Sequence, residues 1–318
     1  MRASVINRFG NQDVFEMADI AKPQIDKNQI LIKVFAHSIN PIDWKQREGN
    51  HKLILGSPFP IVLGYDVCGE VLEVGSGVKK FKPGNMVFGV LDNKYGGALA
   101  EFAKGHENCF AHKPENINIK QASAFPMVSL TALQALRDTV KLKSGQSLII
   151  NGASGGVGHM AVQVAKLIGA RVIAVASSKS KDFVSTFNPD RFVDYTKENI
   201  LNLDEKADVF MDIAGNYNLP KIKHLLKNNG IYLNLEYIKT IKTMPFYWFY
   251  KFFSKGKRVK TLLMKHNSSD LELIARWISE GKLSVTIDKE FTLDEISKAH
   301  EYAQTGHNKG KNIVVISN

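Results

Sequence analysis

The run Ala153-Ser154-Gly155-Gly156-Val157-Gly158 is where residue type and spacing point most directly to a ligand. Glycines spaced this way let the backbone turn tightly and let a charged group approach its amides. A helix that starts inside the run adds unpaired N–H groups and the positive end of its dipole, which together favour an anion. The apolar stretch Ser147-Leu-Ile-Ile-Asn151 reads as a strand before the run, and a helix is expected after it to about Ile168. Strand, glycine turn and helix within roughly 30 residues form the dinucleotide-binding arrangement, with a pyrophosphate on the turn. The pattern Gly-x-Gly-x-x-Gly is met with Ala153 in its first position, so Ser154, Gly155, Gly156 and Val157 are the expected contacts.

The end of the next strand, Arg171-Val-Ile-Ala-Val-Ala176, should carry the choice of nucleotide. An NAD site places Asp or Glu about 20 residues on, where it accepts hydrogen bonds from the ribose. This chain has Ser177-Ser178-Lys179-Ser180-Lys181 there, with no acid before Asp182. A carboxylate repels a 2′-phosphate, whereas hydroxyl and ammonium groups bind it. NADPH is therefore expected over NADH, with Ser177, Ser178 and Lys181 as contacts; the alternative is a solvated basic loop. Tyr195, in Val193-Asp194-Tyr195, either adds a hydroxyl to the same phosphate or packs on the adenine.

The elements that must position these residues divide the chain. Up to about residue 120 it reads as short strands, at 30–36, 68–75 and 85–89, separated by turns at Ser76-Gly77 and Lys82-Pro83-Gly84. An all-β, barrel-like domain is expected there. Helical spacing begins over 123–136, and from Ser147 strands alternate with helices, which predicts an α/β domain with a mainly parallel sheet. Further strands are expected at 191–193, 209–212 and 231–235, and the tail from about Thr286 returns to strand character, ending with 312–317.

Composition bounds the rest. The 318 residues are 44% hydrophobic and 23% charged, ordinary for a globular protein of about two domains. Two cysteines, Cys68 and Cys109, make neither a disulfide framework nor a four-cysteine zinc site. No stretch of about 18 apolar residues is present, and the N-terminus lacks the apolar core of a secretory signal. A cytoplasmic protein is expected. The formal net charge of +11 invites nucleic acid, an anionic membrane or a phosphate-bearing ligand. Much of it sits in residues 239–260, from Lys239 to Lys260, where no acid interrupts the basic residues and aromatics crowd 246–253. Such a segment either binds bases or a membrane surface, or forms a short amphipathic helix entered at Pro245 and packed on a neighbouring domain or subunit. One patch does not make a nucleic-acid-binding protein, and none is expected.

The order of β-rich half, dinucleotide fold and β tail resembles the medium-chain dehydrogenase/reductase superfamily. Ala153–Gly158, Asn40-Pro-Ile-Asp43, Pro60-Ile-Val-Leu-Gly64-Tyr-Asp-Val-Cys-Gly69 and Gly310-Lys-Asn-Ile-Val-Val315 resemble its zinc-free quinone oxidoreductase branch, to which zeta-crystallins and enoyl-thioester reductases are close. The resemblance spans essentially the whole chain. It implies a GroES-like catalytic domain over 1–122, completed by 286–318, a Rossmann NADPH-binding domain over 123–285, an active site in the cleft beside the nucleotide domain, and a homodimer.

Zinc-dependent relatives carry Cys where this chain has Asn40, and Gly-His-Glu where it has Gly64-Tyr65-Asp66. Asn and Tyr are poor zinc ligands, so no metal is expected. Hydride transfer without a Lewis acid suits an acceptor that is already electrophilic, a quinone or an activated enone. The resemblance puts Asn40 beside the nicotinamide, with Asp43 and Lys45 in the same motif and Tyr65 as pocket wall or proton donor. Asn40 and Asp43 have a second reading, as a turn held by side-chain–backbone bonds ahead of Pro41. Relatives often have a tyrosine eight residues after the motif aspartate; His51 stands there in this chain, and an imidazole is a possible proton donor. Thr131 resembles a hydroxyl on the nicotinamide side of the cofactor, Asn234 follows a later strand at the ligand-binding edge, and Lys311 matches a tail lysine that closes on the cofactor. Two alternatives stay open: an enoyl-thioester reductase, and a non-enzymatic NADPH-binding protein that engages RNA or a membrane peripherally through 239–260.

Overall fold

The computed structural model describes residues 1–236, 256–306 and 308–317. In chain order the strands are β1 (Arg2–Ile6), β2 (Phe15–Asp19), β3 (Gln29–Ser38), β4 (Ile61–Val62), β5 (Asp66–Val74), β6 (Met86–Val90), β7 (Phe102–His106), β8 (Phe110–His112), β9 (Ser147–Asn151), β10 (Arg171–Ala176), β11 (Arg191–Asp194), β12 (Ala207–Asp212), β13 (Leu226–Asn234), β14 (Arg258–Lys260), β15 (Ile287–Thr292) and β16 (Lys311–Val315). The helices are α1 (Pro41–Arg47), α2 (Lys52–Leu55), α3 (Ile119–Ala124), α4 (Pro126–Leu133), α5 (Gly156–Ile168), α6 (Lys181–Ser185), α7 (Leu219–Ile222), α8 (Ser268–Ser279) and α9 (Ile296–Gln304). The chain divides into two units, Met1–Met127 with Lys265–Asn318, and Val128–Met264.

In the first unit a three-stranded sheet runs β2-β1-β4, and a seven-stranded sheet runs β15-β16-β3-β5-β6-β8 with β7 also paired to β3. Long β3 is its spine. Ile30, Ile32 and Val34 point one way into a core with Val67, Val71, Val87 and Phe110, as a period-two strand requires. The tail strand β16 closes on β3 antiparallel, with Ile313 opposite Ser38 and Val314 opposite His37. That pairing carries Lys311 to the start of α1. Residues 265–285 lie in this unit too: Asn116 Nδ2 donates to the Ile278 carbonyl at the end of α8, and Asn267 caps its start.

The second unit is an α/β fold built on six parallel strands in the order β11-β10-β9-β12-β13-β14. This is the doubly wound order of dinucleotide-binding folds. Its inner strands are nearly continuous apolar runs because helices cover both faces of such a sheet; β9 is buried throughout. Leu226 starts β13 earlier than expected from sequence. The helical spacing over 123–136 resolves into α3, α4 and a π-helical turn at Gln134–Thr139. Pro126, which has no N–H to donate, sits where the helix restarts. Of the basic aromatic stretch 239–260, residues up to 255 lie outside the described ones, as does the helix expected at Pro245; Arg258–Lys260 form the edge strand β14. Among the described residues no helix is long and apolar enough to cross a membrane.

Gly158 decides how closely α5 approaches the turn after β9. A Cβ there would lie 2.0 Å from the Gly152 carbonyl oxygen and 2.8 Å from Ala153 backbone atoms, so an alanine must push the helix away. At Gly155 an added Cβ meets only the Gly152 oxygen, at 3.7 Å. Gly158→Ala is expected to cost about 1–3 kcal/mol in denaturant unfolding, as overpacking does. Gly155→Ala should stay within about 0.5 kcal/mol of the parent.

Candidate active site

In the second unit the polar ends of the strands fall in one row. Asp194 pairs with Ala176, Val175 with Asn151, Asn151 with Asp212, and Asp212 with Asn234. The glycine turn leaves β9 through Gly152 at φ +90°, a conformation glycine reaches without a steric penalty, and Gly155 is the N-cap of α5. Ser154, Gly155, Gly156 and Val157 are half-buried, so the amides of the helix's first turn lie near the surface. Asp212 accepts from Asn151 Nδ2 (2.7 Å), from the amides of Gly215 (3.0 Å) and Tyr217 (2.9 Å), and from the Tyr232 hydroxyl (3.0 Å). Its carboxylate thus pins the loop after β12. Asn234 Nδ2 donates to the Tyr232 hydroxyl at 2.8 Å and its Oδ1 accepts from the Glu236 amide at 2.7 Å, so its polar atoms serve the same network.

At the next strand end Ser177 and Ser178 are half-buried, and Lys179 and Lys181 are exposed. Tyr195 is 56% exposed, and Thr131 is half-buried on α4. Sequence reasoning missed Asp194. The Ser178 hydroxyl donates to Asp194 Oδ2, and Asp194 Oδ1 accepts from the Thr196 amide (3.0 Å) and hydroxyl (2.6 Å). The hydroxyls of Ser178 and Thr196 hold this carboxyl down to about 2, so it is ionised at neutral pH. Asp194 lies 16 residues from Ser178 in the chain; only the parallel register between β10 and β11 brings them together.

In the first unit Asn40 lies two residues past β3 as the N-cap of α1, which Pro41 starts. The Asn40 amide donates to Asp43 Oδ2 at 2.7 Å, the local turn that was one of the two readings. The Asn40 side chain is fully engaged: Nδ2 donates to the Ser38 carbonyl (3.1 Å) and Asp66 Oδ2 (2.7 Å), and Oδ1 accepts from Lys311 Nζ (2.6 Å). Lys311 Nζ also donates to the Ile39 carbonyl at 2.8 Å and stands 3.7 Å from Asp66 Oδ2. Asp66 accepts further bonds from the Ser38 hydroxyl (2.7 Å) and the Met127 amide (2.8 Å). Asn40, Asp66 and Lys311 are 1%, 0% and 3% exposed. The resemblance put Asn40 beside the nicotinamide and Lys311 on the cofactor; here both side chains are buried within the first unit and bonded to each other.

Burial pushes the Lys311 ammonium below its ordinary range, against the pull of Asp66 and Asp43, and pushes Asp66 upward. Burial also raises Asp43, with the Asn40 amide opposing. His37 contacts the Asp66 carbonyl through Nδ1 at 2.8 Å, so Nδ1 carries the proton and Nε2 is the acceptor, 3.7 Å from Asp43 Oδ2. Burial lowers His37 to about 3, so a neutral imidazole faces a carboxyl that favours its protonated form.

The remaining candidates keep access to solvent. Tyr65, half-buried, donates its hydroxyl proton to the Lys94 carbonyl at 2.7 Å and accepts from Gln46 Nε2 at 2.5 Å. Burial raises its phenol, which stays protonated. His51, half-buried ahead of α2, is lowered first by burial and then by the nearby charge of half-buried Lys45, so its ring is neutral near pH 7. Among the described residues no three His, Cys, Asp or Glu side chains gather in a way that would hold a metal ion.

The chain is similar to known families and proteins over nearly its whole length. Residues 26–115 match the family described as alcohol dehydrogenase GroES-like domain, and residues 188–314 match zinc-binding dehydrogenase. The chain is 33% identical over 324 residues to the chloroplast envelope quinone oxidoreductase homolog of Arabidopsis thaliana, covering 99% of this chain and 98% of that protein. It is also 33% identical over 325 residues to the chloroplastic NADPH-dependent alkenal/one oxidoreductase of the same plant, covering 99% and 79%. The quinone oxidoreductase structure from Coxiella burnetii superposes with a TM-score of 0.92 at 32% identity, covering 99% of each chain.

Lys311→Met leaves Asp66 buried with no cation beside it. It should cost about 3–5 kcal/mol in urea unfolding, and Lys311→Met with Asp66→Asn should recover more than half of that loss. Asp43 makes a pH prediction. Its folded pKa is raised, to about 8, so its contribution to stability is full below its unfolded value and is lost as pH rises through the folded one. The stability of the parent relative to Asp43→Asn should therefore fall between about pH 4 and pH 8 in melts at matched ionic strength.

Proposed function

Because the chain belongs to the zinc-free quinone oxidoreductase branch of the medium-chain dehydrogenase/reductase family, we propose that it is an NADPH-dependent reductase of quinones or α,β-unsaturated carbonyls. The observation that carries the cofactor is the accessible N-terminus of α5, followed at the neighbouring strand end by two exposed lysines that make no ion pair among the described residues. The Arabidopsis relative named for NADPH-dependent alkenal/one reduction supports the acceptor class. When bound, NADPH supplies a hydride to an electrophilic acceptor, chemistry that needs no metal from the protein.

The chain's own residues bind, orient and hold protons. Amides of Ser154, Gly155, Gly156 and Val157 receive the pyrophosphate. Ser177, Lys179 and Lys181 supply donors and charge for the 2′-phosphate, Tyr195 offers an exposed ring and hydroxyl to the adenosine end, and Thr131 is assigned to the nicotinamide side. In the first unit Asn40, Asp43 and Lys311 fix the shape of the 38–43 corner. Tyr65 keeps a protonated phenol, whose one proton must leave the Lys94 carbonyl before it can pass to the reduced acceptor. His51 presents a neutral ring, which makes it a weaker acid than an imidazolium. The reading includes a homodimer, supported by the resemblance alone, and light scattering that returns the mass of a single chain would remove it. Cys68 and Cys109 are both free and buried, which supports a reducing compartment such as the cytoplasm.

NADPH oxidation with a quinone, a small enone and crotonyl-CoA tests the activity, and no turnover with any of them sinks it. Preferential turnover of crotonyl-CoA would favour an enoyl-thioester reductase instead. Lys181→Glu should raise KM for NADPH by roughly tenfold or more and change KM for NADH by less than about twofold. Tyr65→Phe should lower kcat while leaving KM for NADPH near the parent value, and His51→Ala should leave kcat unchanged.

A further inference from the structure

We propose that Asp194 is a specificity-determining residue which limits the preference for NADPH, so that the site retains measurable affinity for NADH. The inference rests on the dinucleotide reading above and concerns which nucleotide that site takes. A hydroxyl has one proton to donate, and an ionised carboxylate only accepts. Ser178 directs that proton to Asp194 Oδ2, and Thr196 directs its own to Asp194 Oδ1. Ser178 therefore presents lone pairs rather than a proton to an incoming phosphate, although sequence reasoning counted it as a phosphate donor. The carboxylate opposes a 2′-phosphate by charge and can accept from a ribose 2′-hydroxyl.

Three lysines at this corner pull the opposite way, and one further acid pulls the same way. Lys197 Nζ stands 3.8 Å from Asp194 Oδ2, Lys179 and Lys181 are exposed, and Asp182 adds a second, exposed acid. Asp194 pairs in register with Ala176, the residue just before Ser177. That places its carboxylate at the strand end that carries the lysines. Three lysines and two carboxylates at this corner make a site that favours the phosphate without excluding its absence.

Asp194→Asn tests this with little structural change. The asparagine oxygen can still accept from the Thr196 amide, and its NH₂ group can donate to Ser178, which frees the serine proton. Dissociation constants for NADPH and NADH are to be measured by fluorescence titration of the full chain at one fixed ionic strength, with competition by 2′,5′-ADP and 5′-AMP. The expected result is NADPH bound roughly three- to tenfold tighter in the variant, NADH unchanged or weaker, and a matching shift in the ratio for the two fragments. Asp194→Ser, which also removes the charge but keeps a short polar side chain, should shift the ratio the same way if the first variant melts early. A change in the NADPH-to-NADH ratio below about twofold in both variants, with both nucleotides still bound, overturns the role of Asp194 while leaving the cofactor reading intact. A parent protein that binds neither nucleotide overturns the cofactor reading, and this inference with it.

Discussion

A single ammonium group organises the first unit. Lys311, near the end of the chain, is buried with its nitrogen on the Ile39 carbonyl, the Asn40 amide oxygen and the Asp66 carboxylate. A buried charge is tolerated only when its partner and its remaining hydrogen-bonding capacity are both provided. Here the provision comes from three distant stretches of sequence. Strand β16 must pair with β3 to deliver Lys311, β5 must begin at Asp66, and β3 must end at the Asn40 corner. The Asn40–Asp43 turn, the His37 tautomer and the start of α1 follow from that arrangement. An apolar substitute would pack, but it would leave Asp66 unmatched and the corner unfixed.

The second unit depends on a different economy, that of a parallel sheet whose strand ends line up. Asp212 spends its carboxylate on holding the loop after β12, and Asn234 and Tyr232 complete that network. The glycine turn is left with accessible amides, and the lysines after β10 are left without acidic partners among the described residues. Polar groups whose hydrogen bonds are already made therefore sit in one row with those that the proposed nucleotide would meet. Asp194 secures the turn at Thr196 and carries its charge at the strand end where the proposed nucleotide would meet the lysines.

Much of this was legible in the sequence where the signal is local. Strand β9 and helix α5 follow from an apolar run and closely spaced glycines, and β10 from a run of β-branched and small residues. The lysines at 179 and 181 are visible because a nucleotide-binding loop sits at a fixed offset from its glycines. What was not legible is long-range. Nothing near Lys311 in the chain says that it will meet Asp66, and nothing near Ser178 says that Asp194 will take its proton; strand pairing decides both. The resemblance put Asn40 beside the nicotinamide, but the bonds of its amide to Ser38, Asp66 and Lys311 were not legible, since two of those partners lie far off in the chain. The break at Pro126 was written in the sequence, but spacing on either side of it reads as one helix.

Hydride transfer from NADPH to an electron-poor acceptor is tested most directly by isotope transfer. With NADPH deuterated at C4 of the nicotinamide on the transferred face and a simple α,β-unsaturated ketone in ordinary water, the account predicts a saturated product. That product should carry deuterium on the carbon β to the carbonyl and solvent hydrogen on the α carbon. Consumption of NADPH without deuterium in the product, or no consumption with either enone or quinone, would contradict it.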